Sequence, residues 1–93
     1  MDPEFRDLTK LDVEKLLLSS GVKFSVREYE GKDPATKVSI HRPVPIEVWI
    51  YSDGAGILGD ALDERFEKPD FHSLEALREA FIGRLSSLVK LAS

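Results

Sequence analysis

"IEVWIYSDGAGILGD", Ile46–Asp60, supports two incompatible folds. Its first half alternates, with Ile46, Val48 and Ile50 on one face of a strand and Glu47, Trp49 and Tyr51 on the other. Its second half spells G-x-G-x-x-G at Gly54, Gly56 and Gly59, where a dinucleotide-binding loop would stand. Such a loop needs a helix that offers its N-terminus to the pyrophosphate, and then a second, parallel strand. Beyond Gly59 the chain has one strong element, a terminal helix, and no strand follows it. Glu75 and Glu79, at the distance of a ribose-binding acid, fall on that helix and not at a strand end. The kinase-type glycine loop needs a lysine on the next strand and distant catalytic residues, and neither is present. Ser52-Asp53-Gly54 is good turn chemistry, with glycine able to supply a positive φ. The stretch therefore reads as a hairpin corner.

The flanking segments agree with an antiparallel sheet. "TKVSIHR" places Val38 and Ile40 inward and Lys37, Ser39 and His41 outward. "VKFSVREYE" sets Val22, Phe24 and Val26 against Lys23, Ser25, Arg27 and Tyr29, and "GKDP" breaks it. Pro43 and Pro45 bracket a corner, since neither can donate to a ladder. "ILGDALDERFEK" suits either a fourth strand or a short helix across residues 57–66, and the strand is preferred; Pro69 ends it. At the N-terminal end, Thr9 is placed to cap a helix carrying Val13, Leu16 and Leu17, which Gly21 stops. At the other end Ser73 caps a long amphipathic helix to about Leu91, with a stripe of Leu74, Leu77, Phe81, Leu85 and Leu88 widened by Ile82 and Val89. The expected fold is α+β: a four-stranded, mostly antiparallel sheet with N- and C-terminal helices on one face, in the order α-β-β-β-β-α.

Ninety-three residues make one domain with a single modest core. The leader "MDPEF", Met1–Phe5, reads as a cloning scar, because its codons would hold two common restriction sites side by side, and it is set outside the fold. Residues 6–93 then form a single binding domain, expected to be a piece of a larger protein. The net charge is −4 from 13 basic and 17 acidic residues, and about −2 without Asp2 and Glu4. A near-balanced chain has no global attraction to nucleic acid or to anionic membrane. The lack of cysteine excludes disulfides and thiolate metal sites. No apolar run approaches the roughly 18 residues of a membrane span. An intracellular chain, cytoplasmic or nuclear, is the expectation.

No catalytic constellation is evident. His41 stands on a strand's outer face and His72 beside a helix cap, far apart in sequence. Asp60, Asp63, Glu64, Glu67 and Asp70, interleaved with Arg65 and Lys68, read as a solvated face without calcium-loop spacing. No serine or lysine has an activating neighbour. The chain is read as no enzyme, with no cofactor and no metal.

One group of residues does stand out. With the helices on the inward face, the outer face collects Trp49, Tyr51 and Tyr29 with Arg27, Lys37 and His41 among them, and Lys23 nearby. Tryptophan, tyrosine and arginine are the residue types enriched as interface anchors. Trp49 and Tyr51 either bind a partner or simply pair across strands.

Three families share parts of this pattern. "IEVWIYSDGAGILG" with "FHSLEALREAF" resembles the opening hairpin and helix of a β-grasp domain, as in doublecortin or Phox/Bem1-type modules, over about half of the chain. "VEKLLLSSGVKFSV", "IEVWIY", "LGDALDERF" and "FIGRLSSLVKL" together resemble the kinase-associated C-terminal domain, which implies anionic-lipid binding and autoinhibition. The same order of elements is similar to the RWD-like fold of kinetochore and related scaffold proteins, which implies protein docking; its YPxxxP turn is missing here. The function expected from all of this is a non-catalytic interaction or regulatory module that docks a protein partner, or a second copy of itself, through the outer sheet face. The alternative is nucleic-acid or anionic-lipid binding through the same aromatic and basic face.

Overall fold

The computed structural model of the chain describes residues 4–41 and 45–92, so Met1–Pro3 of the leader and the expected corner at Pro43 lie outside the described residues. The element order is α1 (Phe5–Ser19), β1 (Phe24–Tyr29), β2 (Ala35–Ile40), β3 (Ile46–Ile50), β4 (Gly54–Gly59), β5 (Leu62–Glu67), a 3-10 turn (Lys68–Asp70) and α2 (Leu74–Ala92). The fold is α+β with an antiparallel sheet between N- and C-terminal helices, but the sheet has five strands in the simple order β1-β2-β3-β4-β5. The expected fourth strand is in fact two. "ILGDALDERFEK" folds back on itself, so that Gly59 pairs with Leu62 and Leu58 with Asp63 across the turn at Asp60-Ala61.

The glycine corner also moves. Tyr51 donates its N–H to the Gly54 carbonyl at 2.8 Å, so the β3–β4 turn is Ser52-Asp53. Gly54, Gly56 and Gly59 are strand residues, and none of them has a positive φ. A strand and not a helix follows Gly59, so the G-x-G-x-x-G pattern here is a ladder segment. The demand for Gly54 is steric: a Cβ there would stand 2.8 Å from the Phe66 backbone oxygen on β5.

The helices end much as their chemistry dictates. Gly21, at φ 68°, closes α1 in a Schellman arrangement, with its N–H on the Leu18 carbonyl and the Val22 N–H on the Leu17 carbonyl. Ser73 caps α2 through its hydroxyl, which accepts from the Ala76 N–H at 3.1 Å. Thr9 does not cap α1. The helix starts a turn earlier, at Phe5, and Thr9 lies inside it, fully buried, with its hydroxyl unpaired among the described residues. Phe5 joins the core cluster as well, so the last residue of the supposed scar belongs to the fold.

One core lies between the helices and one sheet face. Phe5, Thr9, Val13 and Leu17 of α1 and Leu77, Phe81, Leu85 and Val89 of α2 repeat at intervals of four and are buried. They pack on the inward row residues Val38, Ile40, Ile46, Val48, Ile50, Ala55 and Ile57. Each alternation read in the sequence for β1, β2 and β3 agrees with the ladder: Val26, Val38 and Val48 are register neighbours, as are Phe24, Ile40 and Ile46. The opposite face carries no helix among the described residues.

Candidate functional site

The register writes the uncovered face as three rows across the sheet. The middle row runs Arg27, Lys37, Trp49, Gly56, Arg65. On one side of it Tyr29 pairs with Ala35, Tyr51 faces Gly54 across the turn, and Gly54 pairs with Glu67. On the other side stand Ser25, Ser39, Glu47, Leu58 and Asp63.

Five of the six expected site residues come together. Trp49 stacks on Tyr29 with centroids 5.4 Å apart and on Tyr51 at 6.4 Å. Arg27 lies over the Tyr29 ring at 5.2 Å, and Lys37 lies over both Tyr29 and Trp49 at 5.7 and 5.6 Å. Lys37 also reaches Glu47 at 3.7 Å. The outcome is a ridge of stacked rings braced by cations. Ala35, the register partner of Tyr29, is buried although it belongs to this face. Trp49 is itself half-buried, and its indole N–H is shielded from water with no acceptor among the described residues. Tyr51 remains 39% exposed. His41 does not join the ridge. It is exposed at the far end of β2, 3.0 Å from the Ser25 hydroxyl, and its N–H is tied to the Lys23 carbonyl.

Beside the ridge runs an open trough of about 490 Å³, walled by Trp49 and Tyr51 and on the far side by Arg65, Glu67 and Lys68. Its floor is Gly54 and Gly56. A Cβ built on Gly56 would meet only the Glu64 backbone oxygen, at an ordinary 3.5 Å, so no ring lies over that glycine. Trp49 stacks instead on Tyr29 and Tyr51. The trough was not foreseen from the sequence, although the signal was there: once Gly54 begins a strand, Gly54, Gly56 and Leu58 share one face by the period of two.

Charges on the inward side serve another purpose. Glu64 was expected on a solvated face, but it points to the helices because its register partner is the inward Ile57. There the Arg84 guanidinium of α2 grips it through three hydrogen bonds of 2.6–2.9 Å. That guanidinium holds the Glu64 carboxyl below its usual range, and the carboxylate in turn raises Arg84. At the other edge Lys10 of α1 meets Glu28 at 2.9 Å and the Thr36 hydroxyl donates to Glu28 at 2.8 Å. The Lys10 hydrogen bond, with help from Thr36, lowers the Glu28 carboxyl against the cost of its desolvation. Each edge strand thus holds one helix by a single carboxylate.

Among the described residues no three His, Asp or Glu side chains converge as a metal-ligand set. No helix among them is long and apolar enough to cross a membrane. In comparisons with known proteins, no family model matches the chain, and no curated protein or solved structure matches it.

Proposed function

We propose that the chain is a non-catalytic interaction module that docks a protein through the sheet face opposite its helices. The carrying observation is the stacked ridge Tyr29–Trp49–Tyr51, braced by Arg27 and Lys37, on a face that nothing else covers among the described residues. A sheet face left to water is normally polar. Large rings gathered there, with an open trough alongside, form the rigid anchor-and-pocket geometry that interface hot spots use. Their conformational cost of binding is low, because stacking already holds the rings in place.

Nucleic acid is the alternative occupant, favoured by one observation: two cations lie on the same rings that would stack bases. A fluorescent single-stranded oligonucleotide and phosphatidylserine vesicles, titrated at low and high salt, separate the readings. Protein docking predicts weak binding of both probes and no loss on Trp49→Ala. Tight binding that falls steeply with salt and disappears in Trp49→Ala would transfer the face to phosphate ligands. Circular dichroism of Trp49→Ala is the control for all of this. A native spectrum is expected, and unfolding of both Trp49→Ala and the β-branched Trp49→Val would make the ridge a structural element and end the docking reading.

A further inference from the structure

We infer that the occupant of this face is a second copy of the same chain, joined about a two-fold axis that runs parallel to the strands between β3 and β4. The inference rests on the docking reading above and commits it to one partner. A surface that meets its own copy must carry both halves of the fit, each where the axis sends the other. This face does. Trp49 and Gly56 are direct register partners, and Tyr51 and Gly54 face each other across the turn. A two-fold parallel to the strands and midway between β3 and β4 exchanges the members of each pair. Laid face to face, the Trp49 side of each protomer therefore stands over the other's Gly56, and Tyr51 over the other's Gly54. The ridge of each copy enters the trough of its mate, twice, by symmetry.

The same axis sets β2 of one protomer over β5 of the other. Lys37 then stands over Arg65, its counterpart in the middle row, whose charge is engaged by Asp63 at 3.6 Å and which is flanked on the same strand by the outward Asp63 and Glu67. Glu67 has no ion pair among the described residues, which leaves it available to the incoming lysine. Gly56 adds a separate reason. A glycine in a strand interior weakens the strand, and nothing in this fold forbids a side chain there. Gly54 is forced by the Phe66 oxygen, whereas Gly56 is not. Its missing side chain makes room for something from outside, and the mate's indole is the group the axis brings there.

The test is a swap of large for small. Gly56→Leu fills the trough from a position where a Cβ is tolerated, and Trp49→Ala lowers the ridge. In sedimentation from roughly 1 μM to 1 mM, the range of modest affinities, wild type is expected to pass from monomer to dimer. Each variant alone should associate at least about tenfold more weakly, as loss of an interface anchor requires, with an unchanged circular dichroism spectrum. An equimolar mixture of the two variants should dimerise again. One contact in that heterodimer is native, and the other sets the introduced leucine of one variant against the introduced alanine of its mate, which restores the lost volume. Should Trp49→Ala fail to fold, Trp49→Val replaces it, since a β-branched side chain suits a strand. A wild type that stays monomeric throughout overturns the inference and leaves docking of a different protein standing. A Gly56→Leu variant that dimerises like wild type overturns it also, as does a mixture that remains monomeric.

Discussion

Phe81 shows how one side chain can be committed on both sides at once. It is fully buried in the middle of the α2 stripe and meets the Phe66 ring edge-on at 5.5 Å. Phe66 in turn stacks on Phe71 at 6.3 Å, so Phe81 ties α2 to β5 and to the segment that leads into the helix. Phe81→Ala removes that link and leaves a cavity, at a cost of roughly 3–5 kcal/mol. Against the roughly 5–15 kcal/mol of a typical domain that is a large share. A thermal melt should fall by well over ten degrees; a shift of one or two would mean that the register of α2 on the sheet is different. Trp49 is the contrasting case. It sits on the other face, outside the core cluster, and its removal should spare the fold.

The elements divide into those that the sequence states and those that only tertiary pairing decides. β2 and β3 alternate cleanly because one face is buried and the other is not, and the largely exposed β1 follows the same alternation in its residue types, so inward and outward positions could be read directly. The β4–β5 hairpin could not, because Gly54, Gly56 and Gly59 carry no side chain to mark a face and four of the six residues of its second strand are charged. Glu64 belongs to the same difficulty: an inward carboxylate breaks the pattern until Arg84, 20 residues on, is seen to meet it. These two edge carboxylates also predict an acid response. Glu64 and Glu28 both have folded pKa values below their ordinary 4.5. The stability they contribute is therefore fully present above about pH 4.5 and is lost as pH falls through the lower folded values. Melting temperature measured from pH 6 down should begin to drop below the ordinary carboxylate range. Glu64→Gln and Glu28→Gln should each start lower at neutral pH and show a shallower acid limb. If both variants reproduce the wild-type slope, the acid response belongs to other carboxylates and the two tethers contribute nothing to it.

Among the described residues the sheet has one face covered by the helices, one face open and no strand beyond β1 or β5. α1 contacts β2 and β3 and α2 contacts β4 and β5, while β1 stands at the margin with most of its residues exposed, Val26 among them at 37%. Such an edge is a second route to self-association, by adding a strand, and Arg27 and Glu28 on β1 are the charges that guard against it. Hydrogen exchange distinguishes the two routes, because they protect different amides. In a face-to-face dimer the backbone of β1 and β5 gains no new acceptor, so the outward amides of both edges should exchange at the same rate at low and high protein concentration. The amides of β3, paired on both sides and central, should be the slowest in either condition. Edge pairing would instead slow the β1 amides as concentration rises and leave the ridge fluorescence of Trp49 unaltered. The ridge in the trough predicts the converse, with β1 exchange constant and Trp49 emission shifting as the half-buried indole loses its remaining contact with water. Both signals can be followed in one dilution series, and a rise in β1 protection without a change at Trp49 would assign the association to the edge.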